Sequence, residues 1–285
     1  MQYGQALERL MMEVVISDPS LGPINVLKAD VSDGFNRIGI HPTDTPKMGL
    51  VFPLEVEEKE LVVIPLTSPP MGWKNLPPIF CMAMETVTDL SNAGLRCNTP
   101  DLPHSLDEIL EAIIREEPPT PQPELSKLTR DPYLRWSNAN PVAYVGVFAK
   151  YFLGIFQGPA HWRRRVRRRL FHPLDKVFWP CDYGDLDNCK EVLWSKNLRA
   201  GNCTWSTCQV LLGWVIDTVS MTLSFPPQRK NCSKEILAGI PTSQKRIVVD
   251  KWHRLLGGTR SIAIPLTGAQ GLCIHMQEDL RHVEG

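Results

Sequence analysis

The chain has 285 residues, 43% of them hydrophobic and 22% charged, with 31 basic residues balancing 31 acidic ones. That length admits one large domain or two small ones around a substantial core, and the composition is that of a globular protein. Zero net charge excludes a global field drawing the chain onto nucleic acid, so any such attraction must be local.

The eight cysteines (Cys81, Cys97, Cys181, Cys189, Cys203, Cys208, Cys232, Cys273) are scattered without a regular framework. The first 25 residues lack a basic start followed by an apolar run. Free thiols in a cytoplasmic or nuclear protein are therefore expected, and the sequons at Asn202 and Asn231 read as chance matches. Cys203 and Cys208 offer at most half a zinc site, with no matching His/Cys pair.

In chain order, INVLKADV (24–31) predicts a buried strand after a Gly-Pro turn. MGLVFPL and LVVIPLT flank the acidic EVEEKE and predict a hairpin with a solvated tip. PPIFCMAMETVTDL (77–90) predicts a helix with its prolines in the tolerated first turn. Residues 92–141 hold eight prolines and read as an insertion or tethered flap. Inside it SLDEILEAIIREE predicts a helix, opened by a Ser105–Glu108 capping box and faced by Leu106, Ile109, Leu110, Ile113 and Ile114.

AYVGVFAKYFLGIFQ (143–157) predicts a core strand or hairpin. It is shorter than the roughly 20 residues a bilayer needs, and Lys150 sits near its middle, so no membrane partner is expected. In HWRRRVRRRLFHPLDKVF, Trp162, Val166, Leu170, Leu174, Val177 and Phe178 keep helical spacing with arginines on the other face. Pro173 interrupts that helix, at a cost of about 3 kcal/mol. CQVLLGWVIDTVSMTLSF (208–225) predicts two strands with a turn near Asp217-Thr218. Residues 231–285 predict helices broken at Gly257-Gly258 and Pro265.

Two stretches carry candidate chemistry. In KADVSDGFNRIGIHPTD (28–44), Asp30 ends a buried strand ahead of a tight turn and Phe35. In PMGWKNLPPIF (70–80), a glycine-containing loop with Lys74 leads into a helix, where close backbone approach and a helix N-terminus suit a nucleotide.

Asp30-Val31-Ser32-Asp33-Gly34-Phe35 resembles the first catalytic motif of retroelement reverse transcriptases, and Pro70 to Phe80 resembles their second in order and spacing. LLGWVIDTVSMTLSFPP is similar to their primer-grip hairpin in the version typical of DIRS-like and gypsy-like elements, with Leu212, Gly213 and Trp214 at its centre. The resemblance covers about residues 20 to 280 and lacks most of the fingers and any RNase H domain. It implies an α+β polymerase palm, an antiparallel sheet backed by helices. Residues 1–91 would be partial fingers and the first half of the palm, and 92–141 the insertion. Residues 142–225 would be the second half with the primer-grip-like hairpin, and 226–285 a helical thumb or connection.

The family joins nucleotides with two metal ions, Mg2+ or Mn2+, held by three carboxylates on a primer–template of RNA or DNA with an incoming dNTP. The resemblance makes Asp30 the first of these carboxylates, assisted by the Val31 carbonyl. Phe35 matches the gate against a 2′-hydroxyl, and Met71 and Gly72 would lie against the templating pair. Phe148-Ala149-Lys150-Tyr151-Phe152-Leu153 occupies the place of Y-x-D-D-[FI]-L, so Lys150 and Tyr151 stand where two aspartates belong. No other Asp-Asp pair exists in the chain. Asp33, the spare carboxylate nearby, should point away. At about 4 Å and an effective dielectric near 20, Lys150 and Asp30 would attract by about 4 kcal/mol before desolvation and compete with metal.

The expected function is thus a reverse transcriptase-like domain of a retrotransposon with its activity reduced at least about a thousandfold. A non-enzymatic nucleic-acid-binding protein on a palm scaffold, and a polymerase with an unusual metal site, are the alternatives. Arg163, Arg164, Arg165, Arg167, Arg168 and Arg169 read either as a solvated helix face or as a phosphate-contacting surface or nuclear localisation signal.

Overall fold

The computed structural model describes residues 6–32, 34–51, 63–66, 68–70, 72–97, 99–116, 142–158, 161–178, 198, 203–239, 248–263 and 269–284. It is mixed α+β, with antiparallel sheets and helices, and divides into two units. One comprises residues 1–207 with 218–220, the other 208–217 with 221–285.

The first unit is built on a four-stranded sheet. Its strands are β1 (Ile24–Asp30), β4 (Ala143–Phe148), β5 (Tyr151–Gln157) and β6 (Trp205–Ser206), in spatial order β4-β5-β1-β6. All neighbouring pairs are antiparallel. Helix α2 (Leu76–Arg96) follows β1, and α4 (His161–Val177) follows β5. The succession β1-α2-β4-β5-α4-β6 in that strand order is a split βαβ arrangement. Its two long crossovers supply two helices to cover the sheet.

Strand alternation decides what faces those helices. Leu27 and Ala29 of β1, Val145 and Val147 of β4, and Phe152 and Phe156 of β5 join Phe80, Met84 and Val87 of α2 in one core. Val166, Leu170, Phe171 and Leu174 of α4 complete it. Residues 24, 26, 28 and 30 fall on the other side of β1 by the same period of two. At the outer edge of β4, Asn92 of α2 substitutes for a neighbouring strand. Its side-chain amide donates to the Val145 carbonyl at 2.8 Å and accepts from the Val145 N–H at 2.9 Å.

Helix α1 (Ala6–Val15) precedes this unit's sheet and buries Leu7, Leu10 and Val14. The hairpin expected around EVEEKE has its two strands, β2 (Gly49–Val51) and β3 (Val63–Pro65), paired antiparallel. Its tip lies outside the described residues.

Two helices of this unit differ from the sequence reading. Helix α2 runs on to Arg96, six residues past its expected end and into the segment read as an insertion. Gly94 is tolerated there because the Arg169 side chain lies against it, and a Cβ would meet Arg169 Cδ at 2.9 Å. Helix α4 continues through Pro173, although the ring removes the N–H that would bond to the Arg169 carbonyl. Pro173 is buried beside Leu170, Phe171 and Leu174, and that burial offsets the lost bond. Helix α3 (Leu106–Glu116) forms as expected within the proline-rich segment. Residues 117–141 of that segment lie outside the described residues.

In the second unit, residues 208–224 form three strands rather than two: β7 (Cys208–Leu211), β8 (Trp214–Asp217) and β9 (Thr222–Ser224). The first turn is Leu212-Gly213, with φ of 53° and 84°, the two positive values of a type I′ hairpin. Helices α5 (Pro227–Ala238), α6 (Val249–Ala263) and α7 (Ala269–Glu284) follow. Gly257-Gly258 does not break α6, whose Leu256 and Trp252 pack with Cys273, Met276 and Leu280 of α7. Pro265 lies outside the described residues. Among the described residues no helix is long and apolar enough to cross a membrane.

Candidate functional site

The β1–β5 register fixes the site. Asp30, the last residue of β1, lies opposite Tyr151, the first residue of β5, and the Val31 N–H donates to the Lys150 carbonyl one step further. Phe148 pairs with Tyr151 across a two-residue turn of Ala149 and Lys150. Ala149 has φ of 51° and is the one central residue of the turn with positive φ, the type II′ pattern that matches strand twist. Residues 120 positions apart in sequence are thereby brought side by side at one end of the sheet.

Lys150 Nζ lies 3.3 Å from Asp30 Oδ2, the ion pair expected from the motif alignment. The two side chains are 46% and 26% exposed, so solvent screens the pair to about 1 kcal/mol or less. That is well below the unscreened 4 kcal/mol. The pair's geometry matters more than its energy, because the ammonium occupies space beside the carboxylate.

Two ammonium groups lie near the Tyr151 ring. Lys28 Nζ stands 4.0 Å from its ring centroid and Lys150 Nζ 5.3 Å, both within cation–π range. Sequence reading overlooked Lys28. The signal was available, since residues i and i+2 of a strand share a face and Lys28 therefore accompanies Asp30.

Phe35 lies in a short helical turn (Gly34–Arg37) after β1 and is partly buried. Its ring packs on Phe80 of α2 with centroids 4.5 Å apart. Arg37 braces the turn, its Nε donating to the Ser32 carbonyl at 2.7 Å. A Cβ at Gly34 would stand 2.7 Å from Cζ of Phe80, a ring held in the core. Gly34→Ala is expected to cost about 1–3 kcal/mol by overpacking, read as a lower urea midpoint at unchanged slope. Gly72 is exposed with φ of 95°, and Lys74 is exposed. No described hydrogen bond or ion pair joins either to Asp30. Met71 and Asp33 lie outside the described residues.

The arginine run departs from both readings made of it. Arg165 and Arg169 share the carboxylate of Asp101, Arg168 Nε donates to Asp107 at 2.7 Å, and Arg164 pairs with Glu111 at 2.9 Å. Further bonds reach the carbonyls of Leu95, Cys97, Thr99 and Asp101. Arg163 lies over the Phe156 ring at 5.7 Å. These guanidinium groups hold residues 99–105 and α3 against α4. Arg165, Arg168 and Arg169 are thereby mostly withdrawn from solvent and tied to Asp101 and Asp107, whereas Arg164 stays more than half exposed beside Glu111.

Arg167 is buried in the core at 2% exposure, and its Nε and Nη1 have no hydrogen-bond partner. Burial pulls its pKa below the ordinary arginine value, while Cys203, Asp107 and Glu111 act the other way. Asp107 and Glu111 each have another arginine partner. Arg167→Met is therefore expected to raise stability by about 1–4 kcal/mol, measured by urea denaturation. Cys203 is fully buried too, and burial pushes its thiol up to about 12, which leaves it protonated and inert at neutral pH.

In the second unit, Leu212 and Gly213 are the turn between β7 and β8. Trp214 is 4% exposed, its ring centroid 4.1 Å from that of Phe225.

The described residues do not fit the metal ions that the motif resemblance implies. Asp30 is the carboxylate at the hairpin, and the place of a second is taken by an ammonium at 3.3 Å. Hard divalent cations need several oxygen ligands, and no group of three or more His, Cys, Asp or Glu suited to a metal occurs among the described residues. No protein-family model matches the chain, and a search of curated proteins finds no match either.

Proposed function

We propose that the chain keeps a reverse transcriptase-like palm whose two-metal chemistry has been lost at Lys150 and Tyr151. The observation that carries this reading is the Asp30–Tyr151 register with its Lys150–Asp30 ion pair. The motif resemblance requires residue 30 and residues 150–151 to lie close together, and their adjacency at the end of β1 and the start of β5 supports this reading. The split βαβ order and the two helices on one face of the sheet are compatible with a palm, and fold alone does not carry function. Reverse transcription in the family needs three carboxylates around two metals, and among the described residues this site offers Asp30 paired with Lys150, with Lys28 over the adjoining Tyr151 ring. The internal pairing of the arginine run disfavours the rival reading of a nucleic-acid-binding scaffold that uses those arginines.

Primer extension on an RNA template with Mg2+ or Mn2+ tests the loss of activity. The expected result is no detectable elongation. Elongation that disappears in Asp30→Ala would overturn it.

A further inference from the structure

The face of the sheet that carries Asp30 has its charge inverted relative to a metal site. Lys28 projects from the central strand β1, is partly buried, and has its ammonium over the Tyr151 ring. Among the described residues it makes no ion pair with a carboxylate. Lys150 Nζ lies 5.3 Å from the centroid of the same ring and pairs with Asp30 at 3.3 Å. Among the described residues, two positive charges and one negative charge thus gather around one aromatic ring, at the place where the family's motif would hold divalent cations.

We propose that Lys28 and Lys150 form a metal-independent site for the phosphate groups of a nucleotide. The choice of a nucleotide as carrier rests on the palm reading, whereas the excess of positive charge does not. The chemistry of the ligand follows from what it must displace. Lys150 already holds a carboxylate, so a single weak anion gains little by replacing Asp30. An occupant must bring several negative charges and reach both ammonium groups at once, and a triphosphate chain does both. Lysine meets phosphate as a compact point charge with three donors, which suits successive oxygens of a flexible chain. Tyr151 helps to position the two ammonium groups through its ring.

Isothermal titration of the whole protein in EDTA, at low salt where screening is weak, tests this with inorganic triphosphate, dATP and a single-stranded oligonucleotide as probes. The expected result is binding of triphosphate and dATP without metal. Lys28→Gln and Lys150→Gln should each weaken that binding about tenfold, which is about 1.4 kcal/mol. Asp30→Asn should strengthen it severalfold by removing the competing carboxylate, a gain that mere structural damage does not produce. Absence of binding in EDTA would sink the proposal, as would affinity indifferent to both lysine changes. Binding of the oligonucleotide alone, with the same lysine dependence, would overturn the assignment to a nucleotide. Failure here leaves the palm reading standing if metal binds the variant carrying Lys150→Asp and Tyr151→Asp, and the two failures are thereby told apart.

Discussion

Asp101→Ala is expected to destabilise the first unit by about 2–4 kcal/mol. Asp101 bridges Arg165 and Arg169 with its two oxygens and is 15% exposed, against 16% and 20% for its partners. Removing the carboxylate leaves two mostly buried guanidinium groups with only backbone carbonyls and the Thr99 hydroxyl as acceptors. Breaking one side of a buried ion pair costs roughly 3–5 kcal/mol, and the residual exposure and carbonyl bonds reduce that. Thermal unfolding should fall by several degrees, since 1 kcal/mol moves the midpoint of a domain this size by about 2–4 °C. Replacing all three side chains by apolar ones (Asp101→Leu, Arg165→Met, Arg169→Met) should recover much of the loss, because no charge is then left buried. A loss under about 1 kcal/mol for Asp101→Ala would mean that the cluster behaves as a surface pair.

What could be read beforehand depended on the range of the interactions. The β1 strand, the 143–157 hairpin and the helix after Pro77-Pro78 follow local pattern, and all three are present. The meeting of Asp30 with Lys150 was legible through the motif resemblance, which carried information about pairing that alternation of apolar residues lacks. The arginine cluster was not legible. Arg165, Arg168 and Arg169 find Asp101 and Asp107 across 61 to 68 residues, and nothing in a basic run says which acids will reach it. Pro173 misled for a related reason, since the cost of one helix bond is local while the burial that offsets it is tertiary. The turn at Leu212-Gly213 was missed although Gly213 marks it, because the uniformly apolar LLGWVI reads as a continuous strand. Lys28 was legible by period two and was passed over for the aspartate beside it.

Lys150→Asp together with Tyr151→Asp should convert the site from one that repels divalent cations to one that binds them. The double change removes the ammonium from Asp30 and places two carboxylates beside it, in the register already set by the β1–β5 ladder. Without metal the variant should be less stable than the parent, because three carboxylates close together oppose one another's ionisation. Metal then restores what repulsion removed: at one hundred times the dissociation constant, binding to the folded state alone is worth about 2.7 kcal/mol. Asp30→Ala added to the double variant should abolish that response.

The most direct measurement is therefore a thermal-unfolding titration of parent and double variant with MgCl2 and MnCl2. A midpoint that rises with metal in the double variant, and stays fixed in the parent and in the triple variant lacking Asp30, is the predicted result. A double variant indifferent to both metals, or a parent that responds equally, would contradict a palm site lost at Lys150 and Tyr151.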